Sequence, residues 1–210
     1  MISKRIKDKG ILVKLLEKSI KILVTKECKK IGKIKIDIIA TSIQIITGII
    51  QKIYVIAEDI NYKDLLFDSI ELEANNVKIQ LKISNKELKL KKNLITKFKI
   101  SLSENSLKTV LMSSNWNWIA DIISNEILNQ DKLEDLKIKN DHILIKTSKD
   151  KKTINEGEKV YIKLEKGRLY LDNKAYNKSI RIPIEEKVCI KDINIENNLI
   201  NISANSSIDF

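Results

Sequence analysis

The chain has one histidine, His142, and two cysteines, Cys28 and Cys189, so nucleophilic or metal chemistry would have few parts to work with. His142 lies in the strand-like run "NDHILIKTS", and nothing near it resembles a nucleophile elbow or a Cys–His signature. It reads as a half-exposed strand residue. The cysteines are too few and too isolated for a disulfide framework or a metal cluster, which fits a reducing compartment. Gly10, Gly32, Gly48, Gly157 and Gly167 are scattered, so neither a phosphate-binding loop nor a dinucleotide fingerprint is present. Glu185 and Glu186 in "IPIEEK" are adjacent, and neighbours in a strand point to opposite faces. Asp8 and Asp37, and Glu58 with Asp59, lack metal-site spacing. The expectation is a protein that is not an enzyme and uses no cofactor or metal.

The placement of charge says more. Residues 1–100 carry 22 Lys+Arg and 11 Asp+Glu, whereas residues 101–210 carry 17 of each, so the whole net charge of +11 belongs to the first half. Residues 1–35 hold 12 basic and 3 acidic side chains, and residues 78–99 hold 8 and 1. Such patches suit an anionic partner, nucleic acid or a membrane surface. The only arginines are Arg5, Arg168 and Arg181, so the guanidinium fork that reads bases and phosphates is nearly absent. Lysine serves as a diffuse charge over anionic headgroups. An AT-rich genome would also enrich Ile, Lys and Asn, but it does not explain the lopsided placement.

Two sets of elements must position these residues. Residues 11–30 read as a helix with Leu12, Leu15, Leu16, Ile20, Leu23 and Val24 on one broad side. Lys14, Glu17, Lys18, Lys21 and Lys29 fall opposite, and Gly32 is expected to stop the helix. It either packs on a sheet or lies basic-side-on against an anionic membrane or lipid cavity. From residue 33 the period changes to two, in "KIKIDIIA", "IIQKIYVIAEDI", "SIELEANNVKIQLKI" and "LITKFKISLS". This predicts long antiparallel strands over 33–103, wetted on one side. Residues 104–129 read as a pair of helices, the first capped by Ser103 with Glu104 in its first turn. Strands return over 133–208, with "KDKKTINEGE" (149–158) as an exposed loop. Pro183 marks an edge or a bulge. No Pro/Gly/Ser linker interrupts the chain, which reads as a single domain over 1–210.

Both tryptophans sit in "SSNWNWIADII". On a helical wheel Trp116 aligns with Ile119, Ile123 and Ile127, and Trp118 points about 160° away, at 100° per residue. Trp116 is expected in a core or cavity wall, and Trp118 at a membrane interface or partner. No run of about 18 uncharged apolar residues could span a bilayer. The basic start has its apolar part broken by Lys14, Glu17, Lys18 and Lys21 with no small-residue cleavage site, so the chain reads as unexported and cytoplasmic.

The segment "IITGIIQKIYVIAEDINYKDLLFDSIELEANNVKI" (45–79), with Gly48, Tyr62, Leu65 and Ala74, resembles the first half of the LmeA-like phospholipid-binding family. "KFKISLSENSLKTVLMS" (97–113) is similar to that family's middle segment, and "IRIPIEEKVCIKDINIENNLINISANS" (180–206) to its closing strands. The resemblance implies a non-enzymatic bacterial phospholipid binder, elongated and α+β, of the tubular lipid-binding kind. It implies no catalytic residues. Exported members carry signal peptides; this chain is more similar to unexported cyanobacterial forms.

The leading expectation is therefore a lipid-binding or membrane-peripheral α+β protein, with long strands packed around an N-terminal helix and a middle helical pair. Leu12, Leu16, Ile20, Leu23, Trp116, Ile119 and Ile123 are the expected lipid contacts. Lys14, Lys18, Lys21 and Trp118 are expected to meet headgroups or the membrane surface. The alternatives are a nucleic-acid-binding module on the lysine-rich half, and a protein-interaction scaffold without ligand.

Overall fold

The computed structural model describes residues 10–82, 87–90, 94–129, 132–148 and 153–208. The first half is helix α1 (Ile11–Glu27), strand β1 (Lys30–Ile39), helix α2 (Ser42–Ile46), and strands β2 (Ile49–Tyr62), β3 (Leu65–Lys82), β4 (Glu87–Leu90) and β5 (Leu94–Ser103). Helices α3 (Glu104–Met112) and α4 (Asn117–Asp121) follow, and α4 runs on into a π-helical segment, Ile122–Ile127. Then come β6 (Leu133–Ile138), β7 (Ile143–Thr147), a 3₁₀ turn at Ile154–Glu156, β8 (Glu158–Glu165), β9 (Arg168–Asn173) and β10 (Lys178–Arg181). Strands β11 (Val188–Glu196) and β12 (Leu199–Ile208) close the chain.

The protein is thus α+β and largely sheet, as its alternating runs predict. A seven-stranded antiparallel sheet has the order β1-β2-β3-β5-β12-β11, with β4 paired to the end of β3. A second sheet is the five-stranded meander β10-β9-β8-β7-β6, built between the departure of the chain after β5 and its return in β11. Strand β3, 18 residues long, spans about 60 Å at ~3.3 Å per residue. Its hairpin with β2 turns through Lys63 and Asp64, both with positive φ, and Asn197 and Asn198 do the same between β11 and β12. Two consecutive left-handed residues make the turn whose twist matches antiparallel strands. Pro183 follows β10, which is an edge strand, so its missing N–H breaks no ladder.

Two main apolar clusters lie along this frame. One joins α1, α2 and the β1–β3 strands through Val13, Leu16, Ile38, Ile45, Ile50, Ile53 and Val77. The other locks the two sheets together, with Leu102 and Ile200 from the large sheet against Leu136, Ile138, Ile145, Val160 and Leu171 from the small one. Leu111, Ile123, Ile127 and Leu128 of the middle helices fill the space between. The opposite face of the large sheet is wet: Lys33 meets Glu58, and Lys99 and Lys97 stand opposite Glu71 and Glu73 in register.

Several expectations are corrected. Helix α1 ends at Glu27, because Cys28 is already extended and β1 begins at Lys30. Gly32 is inside β1 and stops nothing. It lies where Asp59, at φ 54°, leans over the strand, so that an added Cβ would sit 2.7 Å from the Asp59 carboxylate. The run "TSIQII", given no element above, forms α2. Glu185 and Glu186 lie in the loop before β11, where their carbonyls accept from the Arg168 guanidinium, so strand geometry does not govern them. In the run 149–158 the structure describes only 153–158, with a 3₁₀ turn capped by Thr153 and Glu156.

Candidate functional site

Helix α1 is apolar on two sides, and the two sides do different things. Val13 and Leu16 are buried, and Leu12 and Ile20 pack against the same cluster, so the side toward β1 is core. Leu16 has no exposure at all. Of the four expected α1 lipid contacts Leu16 is interior, Leu12 and Ile20 are half-buried against the core, and Leu23 is exposed. The outward side carries Ile11, Leu15 and Ile22, exposed by 86%, 41% and 59%. A wheel drawn to separate one apolar face from one polar face merges Leu15 with the core and overlooks Ile11 and Ile22.

Lys14, Lys18, Lys21 and Lys26 share that outward side and make no ion pair among the described residues. Some lysines of the neighbouring strands are engaged. Lys29 binds Asp64, Lys33 binds Glu58, and Lys52 bonds the Tyr54 hydroxyl and faces Glu73. The carboxylate and the hydroxyl hold the Lys33 and Lys52 ammonium groups above the ordinary lysine range. Along the C-terminal half of α1, Lys18, Lys21, Ile22, Thr25 and Lys26 border an open depression of about 620 Å³. It combines free cations with an alkyl wall, which is the chemistry of an amphiphile with an anionic head.

Helix α2 lies at the end of the large sheet where α1 begins. The position of a Cβ on Gly10 would be 3.6 Å from the Ser42 hydroxyl, so the start of α1 abuts α2. Ile45 anchors α2 in the core, while Ile43 and Ile46 are 74% and 72% exposed. Ile39 and Ile49 on the flanking strand ends, and Ile95 at the start of β5, are also exposed. No Asp or Glu occurs from residue 38 to 57, and between Glu73 and Glu104 the only carboxylate is Glu87. Of the basic stretch 78–99, residues 83–86 and 91–93 lie outside the described residues. The carboxylates of this hairpin are Glu58, Asp59, Asp64 and Asp68 toward its other end, with Glu71 and Glu73 along its middle.

The tryptophans are at that other end, and the helical wheel that set them on opposite sides does not hold. Trp116 precedes α4, with φ −128° and ψ 0°, so a helical wheel does not place it. Its indole N–H donates to the Lys63 carbonyl at 2.9 Å, and its ring lies 6.3 Å from that of Trp118 at 40°. Both rings are half-buried and they do meet. Ile123 and Ile127 are core, and Ile119 packs against it. His142 sits in the turn before β7, with Nδ1 2.6 Å from Asp141 and its ring against Tyr161. That hydrogen bond holds the Asp141 carboxyl below its ordinary value.

No protein-family model matches the chain, and no curated protein or solved structure matches it either. Among the described residues no helix is long and apolar enough to cross a membrane, and no group of three His, Cys, Asp or Glu side chains is placed to hold a metal ion.

Proposed function

We propose that the chain is a non-enzymatic, cytoplasmic protein that attaches peripherally to an anionic phospholipid surface through the outward side of α1. One observation carries the reading: Lys14, Lys18, Lys21 and Lys26, without ion pairs, alternate there with exposed Ile11, Leu15 and Ile22. Each lysine near such a surface contributes about 1 kcal/mol, and the apolar residues between them add burial at the headgroup boundary. The resemblance of residues 45–79, 97–113 and 180–206 to LmeA-like phospholipid binders points to the same ligand class. We assign the lipid contact to this outer side and to the depression beside Lys18, Lys21 and Ile22, because Leu16 is core and Leu12 and Ile20 pack against it.

Cosedimentation with vesicles tests the reading. Binding is expected with phosphatidylglycerol present, weakening as salt is raised, since exposed charges are screened within about 8 Å at physiological ionic strength. Equal binding to neutral vesicles, or a gel shift with nucleic acid under conditions where vesicles are ignored, would overturn it. Native mass spectrometry is expected to show the bare chain mass, because a surface contact does not retain lipid through purification.

A further inference from the structure

Lysines on α1 explain attraction to a surface but not why α2, only five residues long, holds two isoleucines in water. Residues 38–51, from Ile38 to Gln51, contain no charged side chain. Within them α2 satisfies several of the groups at its own ends. The Thr41 backbone N–H donates to the Gln44 amide oxygen at 2.8 Å, and the Gln44 N–H donates to the Thr41 hydroxyl at 3.2 Å. The Thr47 hydroxyl donates back to the carbonyls of Ile43 and Gln44, each at 3.0 Å. Gly48 donates to the Ile45 carbonyl and accepts from the Ile79 N–H at 2.9 Å. A helix end normally leaves donors and acceptors for water to satisfy, and hydrocarbon supplies no such partners. The tip therefore meets part of the backbone hydrogen bonding that entry into a lipid layer requires.

The tip is also held rigidly. Ile45 and Ile50 are buried on either side of the exposed pair. Gly48, at φ 77°, makes a tight exit that a Cβ would block, since it would lie 2.4 Å from the Ile79 carbonyl oxygen. Lys14 on α1, and Lys78, which pairs in register with Ile49, supply positive charge beside it; residues 38–57 carry no carboxylate of their own, and Glu17 of α1 is bonded to the Ile38 N–H. An anionic bilayer complements that combination: cations at headgroup level, uncharged isoleucines beyond them.

We propose that α2 is a membrane-inserting wedge, with Ile43 and Ile46 entering the acyl layer beneath the headgroups that the α1 lysines attract. The inference rests on the peripheral-membrane reading and adds depth and orientation to it.

The test uses vesicles of phosphatidylcholine and phosphatidylglycerol with brominated acyl chains, which quench indoles that reach them. Trp116 and Trp118 stand at the far end of the β2–β3 hairpin and serve as internal controls. On binding, Ile43→Trp is expected to show a blue-shifted emission that brominated chains quench, while the wild-type emission is unchanged. The double variant Ile43→Ser/Ile46→Ser, exposed at both sites, is expected to keep its urea midpoint and lose roughly a hundredfold in vesicle partitioning, since each buried isoleucine is worth more than a factor of ten. If Ile43→Trp binds without quenching, α2 stays outside the bilayer and the wedge fails, while the surface reading stands. If wild-type protein ignores anionic vesicles, both fail. Concentration-dependent dimerisation of the wild type that the double variant abolishes would make the patch a self-interface and overturn the wedge.

Discussion

Trp116 spends its one polar atom on the Lys63 carbonyl, so the residue that precedes α4 ties down the turn joining β2 to β3. Asn115 and Lys29 bind Asp64 of the same turn, at 2.6 and 2.7 Å. Trp116→Ala should therefore cost about 2 kcal/mol, one hydrogen bond plus an aromatic contact, measured by urea unfolding. Ile127→Ala, at a fully buried site, should cost about 3 kcal/mol or more, because a cavity is left in the contact between the two sheets. A larger loss from Trp116→Ala than from Ile127→Ala would contradict this ranking. Asp135 gives a pH dependence of known sign. Its carboxylate accepts from Lys108 and from the Leu136 N–H, and the Lys108 contact is the larger cause holding it below the ordinary value. Stability from a depressed carboxyl is complete above its unfolded pKa of about 3.9 and is lost as pH falls through the folded value. Asp135→Asn should lower the urea midpoint at neutral pH and flatten its fall between about pH 4 and the acid limit. An acid limb as steep as that of the wild type would remove Asp135 from the account.

Elements divide by how much of their placement is local. Period-two runs fixed nearly all of β1, β2, β3, β5 and β12, because a strand buried on one face must alternate along its whole length. Ser103 is a cap on sight, and it does accept from the Ser106 N–H; Asp68 of β3 holds it in turn. Glu104 was legible as a first-turn acid, but its bond to the Ile138 N–H joins α3 to β6, a contact between residues far apart in sequence. The α2 helix was illegible, since three isoleucines in six residues suit a strand as well as a helix until Gly48 and the Thr41–Gln44 box are seen together. Trp116 was misplaced because the wheel took it as the first residue of the second helix, continuing regularly to Ile127. The chain instead restarts at Asn117 and widens to a π turn, where the Leu128 N–H reaches the Ile123 carbonyl. For α1 the pattern showed amphipathicity but not which apolar residues face the sheet, because Ile11, Leu15 and Ile22 give it a second apolar side. That distinction is measurable within one helix. Leu16→Ala should lose about 3 kcal/mol of stability, whereas Ile22→Ser should leave stability within about 0.5 kcal/mol and weaken vesicle binding. Equal destabilisation by both would place Ile22 in the core.

At the scale of the whole molecule, charge is sorted along the β2–β3 hairpin and not merely accumulated. One end has α2, the exposed isoleucines, Lys14 and Lys78; the other gathers Glu58, Asp59, Asp64 and Asp68, several of them bonded to neighbours, with Lys29, Lys30, Lys33 and Lys63 beside them. A molecule sorted this way has a preferred orientation in the field of an anionic surface, since the end without carboxylates is attracted more strongly than the end where lysines face them. The small sheet hangs on the half whose net charge is zero, so its lysines should contribute little to docking even where they are exposed. Replacing Lys14, Lys18 and Lys21 by Glu changes the net charge by six units, from +11 to +5, and reverses the field at the docking end. Replacing Lys163, Lys174 and Lys178 by Glu makes the same change at the small sheet. If total charge governed binding, the two triple variants would lose affinity for anionic vesicles equally. Orientation predicts that the α1 variant loses binding and most of its salt dependence, while the small-sheet variant binds much as the wild type does. Parallel vesicle titrations at low and physiological salt separate the outcomes, and equal losses would reduce the sorting of charge to an accident of composition.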